Sequence, residues 1–307
     1  MFTKKRSDGT YVRNMHFFNQ ILPYLMPTKT ESAIYFEQEF DVTKTLEYVN
    51  KKKAEMAEGV KISMFYIILY AAIRVIAQRP KMNRFVMGYR YYQRNNISFN
   101  FVAKRELSDE GEEINVTMSF SPRLSLEGFC KKIHDHVSSL KKGSGTDTES
   151  LNVFLTHLPR FLIRFFFWGV RFLDYHNGLP RMVMDALPFY TTVFFTNVGS
   201  VGIDAPFHHN FEIGTCGIFS AIGKLRKENI INTDGTVETR DKVKITFTYD
   251  DRITDGIYCA RAIDMVRDLV ENPEKLEAPL ELSPEQLSNL GLAESELAIE
   301  EETVNHV

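Results

Sequence analysis

Residues 242–268, KVKITFTYDDRITDGIYCARAIDMVRD, change hydrophobic period in the middle and so commit the chain to a fold that holds both strand and helix. Val243, Ile245, Phe247 and Tyr249 alternate with Lys244, Thr246, Thr248 and Asp250, the two-residue period of a strand with one face turned to a core. From Ile257 the period lengthens, and Ile257, Ala260, Ile263, Val266 and Leu269 recur at helical spacing. Between the two lies Asp250-Asp251-Arg252-Ile253-Thr254-Asp255-Gly256. Ionisable groups crowded between a strand end and a helix start are placed as site residues often are, because a helix N-terminus stabilises anions and loops carry function. The plain alternative is a solvated turn whose aspartates cap the helix.

A chain of 307 residues can bury a full core as one large domain or two small ones. Its net charge of −3 gives no electrostatic pull toward nucleic acid, so no nucleic-acid partner is expected. Cys130, Cys216 and Cys259 are few, odd in number and without metal spacing, which fits a reducing cytoplasm. The basic start MFTKKRSDGTYVRN lacks the apolar run and cleavage site of a signal peptide, so a cytoplasmic location is expected.

Along the chain, MHFFNQILPYLMPTKT reads as a short helix stopped early by Pro23 and Pro27, with Arg13 just ahead of it. AIYFEQEFDV (33–42) alternates as a strand, and an exposed helix follows over 43–57, ended by Gly59. Residues 62–79 form an apolar helix from Ser63 to Pro80; Tyr66, Tyr70, Arg74 and Gln78 along it favour a core helix over a membrane span. Two strands joined by Arg94-Asn95-Asn96 come next, then a strand over 114–120, an amphipathic helix over 125–141 and a flexible polar loop over 141–150.

The stretch 151–180 is helical and unusual: Arg160, Arg164 and Arg171 fall on one stripe about 40° wide, and Trp168 and many phenylalanines fill the rest. Arginines beside aromatic rings suit a helix lying in a membrane interface over 151–175, with the protein peripheral at the membrane. A helix in a subunit interface, its arginines paired with carboxylates, is the alternative. FYTTVFFTNVG (189–199) is a buried strand ending in Asn197-Val198-Gly199-Ser200; Gly199 and Gly202 suggest a tight turn or a ligand against the main chain. His208 and His209 would point to opposite faces of a strand, with no third ligand at a metal spacing, so no metal is expected. GIFSAIGKL (217–225) is a strand, and 227–242 a hairpin turning at Asp234-Gly235. Ser283, Pro284 and Gln286 make a capping box for a short peripheral helix in an acidic tail.

FFTNVGSVGID (194–204), FSAIGKL (219–225) and TFTYDDRITDGIYCARAIDMVRDLVENPEKL (246–276) together resemble the catalytic domain of the dihydrolipoamide acyltransferases of 2-oxoacid dehydrogenase complexes, relatives of chloramphenicol acetyltransferase. ISMFYIILYAAIRVIAQRPKMN matches that family's helix ahead of its central strands. The resemblance covers most of the chain from about Arg13 to Leu276, with an apolar helical insertion at about 151–185 as its least familiar part, so 1–276 is expected to be one acyltransferase-like domain and 277–307 an acidic tail with a short helix. It implies an α/β fold, a two-layer mixed-sheet sandwich, in a homotrimer or multiple of trimers whose sites lie between subunits, with coenzyme A or acyl-coenzyme A as substrate and no metal. It also implies that Thr196 donates to the tetrahedral oxyanion beside Asn197 and Gly199, and that Asp255, before Gly256, is structural and pairs with an arginine, for which Arg13 is the candidate.

The family's general base is a histidine in His-x-x-x-Asp-Gly, and here that position is Asp251, followed by Arg252. An ordinary aspartate is roughly four to five units more acidic than a thiol, which costs about 3 kcal/mol of proton-transfer driving force relative to imidazole. Nothing in the sequence resembles the family's lipoyl and subunit-binding domains. Two expectations follow: an acyltransferase with an altered base, Asp251 or one of His208 and His209 brought across a subunit interface, or a non-catalytic trimeric scaffold or ligand-binding protein, membrane-docked through 151–175.

Overall fold

The structure is a computed structural model that describes residues 6–56, 60–104, 113–141 and 147–292. Gly59, residues 142–146 of the expected loop over 141–150 and the acidic end beyond 292 lie outside the described residues; the helix expected over 43–57 ends at Lys52, and the expected loop gives way to helix at Asp147. In chain order the elements are β1 (Gly9–Tyr11), α1 (Phe17–Leu25), β2 (Ala33–Asp41), α2 (Thr43–Lys52), α3 (Met64–Gln78), β3 (Arg84–Met87), β4 (Arg90–Arg94), β5 (Ile97–Lys104) and β6 (Glu113–Phe120). Then come α4 (Leu126–Lys141), α5 (Asp147–Thr156), α6 (Arg160–Tyr175), α7 (Arg181–Ala186), β7 (Val193–Asn197), β8 (Ile218–Ile231), β9 (Val237–Asp250), α8 (Gly256–Glu271) and α9 (Pro284–Leu290).

Six strands form one mixed sheet in the order β2-β9-β8-β7-β5-β6, parallel at β5–β7 and β7–β8 and antiparallel elsewhere. Alternation decides its faces. Val193, Phe195, Ile218, Ile222, Val243, Ile245 and Tyr249 point into the core, where they meet Ile68, Val75 and Ile76 of α3 and Cys259 and Ala262 of α8. Each such aliphatic side chain contributes about 1.5–3 kcal/mol on burial. Phe194 and Phe219 project from the opposite face into a small second cluster with Cys216. The expected two-layer mixed-sheet α/β fold is therefore what the chain adopts.

α3 is a core helix, as read. Ser63 accepts from the Tyr66 N–H at its start, ten of its fifteen residues are buried, and its polar groups find partners. The Tyr70 hydroxyl donates to Leu124 O, and Arg74 donates to Leu276 O and Ala278 O. Among the described residues no helix is long and apolar enough to cross a membrane.

Several readings of local structure change. α1 continues through Pro23 to Leu25. Proline there removes the bond to the Asn19 carbonyl, and the Tyr91 hydroxyl donates to that carbonyl instead. Arg94-Asn95-Asn96 joins two strands, as read, but in different sheets: β4 belongs to a second, three-stranded sheet β1-β4-β3, and the segment carries the chain from that sheet into β5. A hairpin joins β3 to β4 at Gly88-Tyr89, where both residues have positive φ (57° and 59°), the backbone of a primed two-residue turn. The stretch 151–180 is split at His157-Leu158-Pro159, and Pro159 and Pro180 stand immediately before α6 and α7. The capping box at Ser283 and Gln286 forms as expected, but α9 is not peripheral: Leu290 is fully buried, and Gln286 donates to Gln78 O.

Candidate functional site

The turn after β9 is held from three sides. The Asp250 N–H donates to Gly217 O and the Asp251 N–H to Ser32 O, so the turn is stitched to the segment before β8 and to the loop before β2. Arg252 donates to both carboxylate oxygens of Asp250, at 2.8 and 2.7 Å, and to Met26 O. Asp250 thereby neutralises Arg252, and Arg252 has no ion pair with Asp251. The half-buried Asp251 accepts from the Tyr249 hydroxyl at 3.1 Å. Asp255 is exposed and caps α8 by accepting from the Tyr258 N–H at 2.8 Å. Gly256, the first residue of α8, has open space where a Cβ would stand.

Residues that sequence reasoning did not single out brace this turn. Burial lowers the pKa of Lys29, whose ammonium donates to Phe211 O and Gly214 O. Glu212 reaches back to accept from the Lys29 and Thr30 N–H groups and the Thr30 hydroxyl. These contacts span more than 180 residues of sequence, and no local pattern announces them. The proposed partner of Asp255, Arg13, is exposed, and the two form no ion pair within the chain; the carboxylate of Asp255 serves the helix end instead. The arginine–aspartate pair at this turn is Arg252–Asp250.

Thr196 lies near the end of β7 on the sheet face opposite the helices, half-buried, and its hydroxyl has no hydrogen-bond partner among the described residues. Asn197 begins the turn, and its carbonyl accepts from the Ser200 hydroxyl. Gly199 is explained by backbone: a Cβ there would collide with the carbonyl of Gly223, so the glycine admits the neighbouring strand β8 rather than a ligand.

His208 and His209 are not in a strand. They lie in an extended segment that crosses the same face as Thr196, where Thr246 donates to Pro206 O and Thr248 to His208 O. Their rings stack on each other at 4.8 Å instead of pointing apart, and His208 lies flat on Phe219 at 3.9 Å. The Nδ1 of His208 is 2.9 Å from His209 O. A carbonyl only accepts, so the proton sits on Nδ1 and leaves Nε2 as the acceptor of the neutral ring. Among the described residues no group of His, Cys, Asp and Glu could hold a metal ion.

Strand register gives the distances that decide what can meet. Thr196 pairs with Ala221, and Ala221 with Thr246, so Thr196 and Asp251 are two strands and five residues apart, about 19 Å at 4.8 Å per strand and 3.4 Å per residue. His208, over Phe219, is one strand and two residues from Thr196, about 8 Å on the same scale. Thr196 and the histidines thus share one face, while Asp251 belongs to the far end of the sheet.

α6 presents Phe161, Phe165, Trp168 and Phe172 outward in a stripe, with Trp168 stacked between Phe165 and Phe172 at 5.7 and 5.4 Å. Arg160, Arg164 and Arg171 are all exposed beside it, and none forms an ion pair with a described residue. Among the described residues these arginines have no carboxylate partner within the chain.

Residues 191–278 match the family model described as 2-oxoacid dehydrogenases acyltransferase (catalytic domain), a segment that holds Thr196, both histidines and the whole Asp251–Gly256 turn. Among solved structures the chain is similar to a probable dihydrolipoamide acetyltransferase from Listeria monocytogenes, with 15% identity, a TM-score of 0.55 and coverage of 89% of this chain and 99% of that one. It is similar to the cubic core of a pyruvate dehydrogenase multienzyme complex at 12% identity and TM-score 0.55, covering 87% and 93%. A chloramphenicol acetyltransferase matches at 12% identity and TM-score 0.50, covering 85% and 99%. No protein of curated function matches the chain in sequence. The resemblance to an acyltransferase catalytic domain is borne out by the matched segment, and the chloramphenicol acetyltransferase-like fold by the solved structures.

Proposed function

We propose that the chain is a coenzyme A-dependent acyltransferase with an altered base, assembled as a trimer or a multiple of trimers and completed at its site only between copies. The separation of Thr196 from Asp251 carries this reading. No side-chain motion spans about 19 Å of sheet, whereas a closed rotational assembly can set the Thr196 end of one copy against the Asp251 end of the next. Thr196 would donate its unpartnered hydroxyl to the oxyanion formed when a thiolate attacks a thioester carbonyl. A base takes the acceptor thiol's proton, and the departing thiolate recovers it when the tetrahedral intermediate collapses. Asp251 is the base by position. The Tyr249 hydroxyl donates to its carboxylate at 3.1 Å and occupies one of its acceptor positions. His208, with Nε2 free to accept and Thr196 on the same face, is the alternative base.

The test is thiol release from acetyl-coenzyme A by Thr196→Ala, Asp251→Asn and His208→Asn, followed by co-expression of the first two. Each single variant of a true site residue loses at least tenfold. A co-assembled mixture of Thr196→Ala and Asp251→Asn regains about a quarter of wild-type activity, since one interface in four joins two intact halves. No recovery on mixing would refute the shared site. Intact assembly with no turnover would favour the non-catalytic scaffold.

The unpaired arginines of α6 favour a second, compatible reading: this helix lies on an anionic membrane surface, rings toward the acyl boundary and guanidinium groups at the head groups. Trp168 is the single tryptophan and reports directly. Its emission should shift to the blue with phosphatidylglycerol vesicles, less with phosphatidylcholine, and not when Arg160, Arg164 and Arg171 become glutamate. A blue shift that follows protein concentration without vesicles would assign α6 to a subunit contact instead.

A further inference from the structure

Between the sheet and helices α3 and α8 the core is not filled. A chamber of about 60 Å³ remains, walled by Phe36, Ile68, Val75, Phe195, Ile245 and Val266 among others, almost without polar surface. A void several times the minimum for one water, yet apolar, stays dry, and in a close-packed interior it is a defect unless something occupies it. One polar group faces it: the hydroxyl of Ser220, on the core side of β8, is 1% exposed and has no hydrogen-bond partner. A sealed core would favour an apolar residue there.

The chamber adjoins a cleft that opens to the surface. This cleft of about 410 Å³ lies between β2 and the start of α8, lined by Ile34, Gln38, Gly256 and Ala260, and it shares Phe36, Tyr249, Cys259 and Ile263 with the chamber. Burial pushes the Cys259 thiol up to about 12, with Asp251 and Asp255 adding to the shift, so at neutral pH it is an inert wall and not a nucleophile. Tyr249 lines both spaces and donates its hydroxyl to Asp251, the candidate base. The chamber lies beside β9 between Tyr249 and Ile245, about 13 Å of strand at 3.3 Å per residue.

We infer that cleft and chamber form one binding site for the hydrocarbon chain of an acyl group, which enters between β2 and α8 with its carboxyl or thioester end left near Asp251. That the occupant is an acyl group rests on the acyl-transfer reading; that the site takes a linear hydrocarbon rests on the cavity alone. The chamber walls are apolar, and the cleft adds only the amide of Gln38 and the carboxylate of Asp264, so neither space offers a cation to an anionic guest.

The experiment is displacement of a fluorescent fatty-acid analogue from the full chain by butanoate, hexanoate, octanoate and decanoate, with thiol release from acetyl-coenzyme A measured in parallel. Affinity should rise about fourfold per methylene until the chamber is full, as about 0.8 kcal/mol per buried methylene requires. Ala260→Phe, at an exposed position of the mouth, should weaken decanoate at least tenfold with unchanged thermal melting. Ala262→Leu, which fills the chamber, should penalise decanoate more than hexanoate; if it does not fold, Ala260→Phe decides. Affinity independent of chain length, or wild-type binding by Ala260→Phe, overturns the inference. Chain binding without turnover supports the pocket and refutes acyl transfer, and turnover without chain binding does the reverse.

Discussion

The guanidinium of Arg6 lies 2.8 Å from the carboxylate of Asp174, and side-chain exposure is 0% for the arginine and 4% for the aspartate. Arg6 also grips both oxygens of Asp8 and donates to Asp174 O, while the Tyr190 hydroxyl donates to the other carboxylate oxygen of Asp174. One arginine ahead of β1 thus anchors α6, which otherwise exposes most of its face.

Removing one partner should be severe, because it strands a buried charge. Arg6→Met is expected to destabilise the fold by about 3–5 kcal/mol, read as a lowered urea midpoint. Asp174→Asn keeps a partner for Tyr190 and should cost less. If both variants unfold at the wild-type midpoint, the pair does not anchor α6.

Asp251→His restores imidazole at the base position. Thiol release by this variant should rise about a hundredfold over the wild type if Asp251 faces the thiol. Its rate should climb with pH through about 6.5, where imidazole loses its proton. A flat pH profile with no gain would place the base elsewhere, and His208→Asn then becomes the decisive variant.

Acid should loosen the brace behind the site. Burial alone would raise the pKa of Glu212, but the Thr30 hydroxyl, the Thr30 and Lys29 N–H groups and the Lys29 charge together hold it below the usual carboxylate range. A folded-state pKa below the unfolded one makes this stabilisation complete above the ordinary glutamate range and removes it as pH falls through the folded value. Thermal melting across pH 3–6 should therefore show a shallower acid decline for Glu212→Gln than for the wild type. Parallel curves would show that Glu212 contributes nothing to acid sensitivity.

The local elements were largely legible in the chain. Alternation at Val243, Ile245, Phe247 and Tyr249 predicted β9, the change of period at Ile257 predicted α8, and Ser63 and Pro80 bounded α3. Asp234-Gly235 turned the β8–β9 hairpin, with φ of 82° at Gly235. Such signals are readable because strand and helix repeat every 2 and 3.6 residues, so the neighbours that decide burial are near in sequence.

Which elements share a sheet, and which residues share a site, was not legible. Arg94-Asn95-Asn96 joins two strands as read, but those strands lie in different sheets; His208 and His209 are stacked rings; Arg13 read as the partner of Asp255 and forms no ion pair with it. The sequence by itself determined the strand–turn–helix around Asp251, the Thr196-Asn197-Val198-Gly199 turn and the family they point to. Only the tertiary structure decided that Arg252 belongs to Asp250, that Tyr249 belongs to Asp251, and that Thr196 lies at the other end of the sheet from both. Those relations depend on strand order and register, which arise from packing between segments far apart in the chain and leave no periodic trace within any one of them.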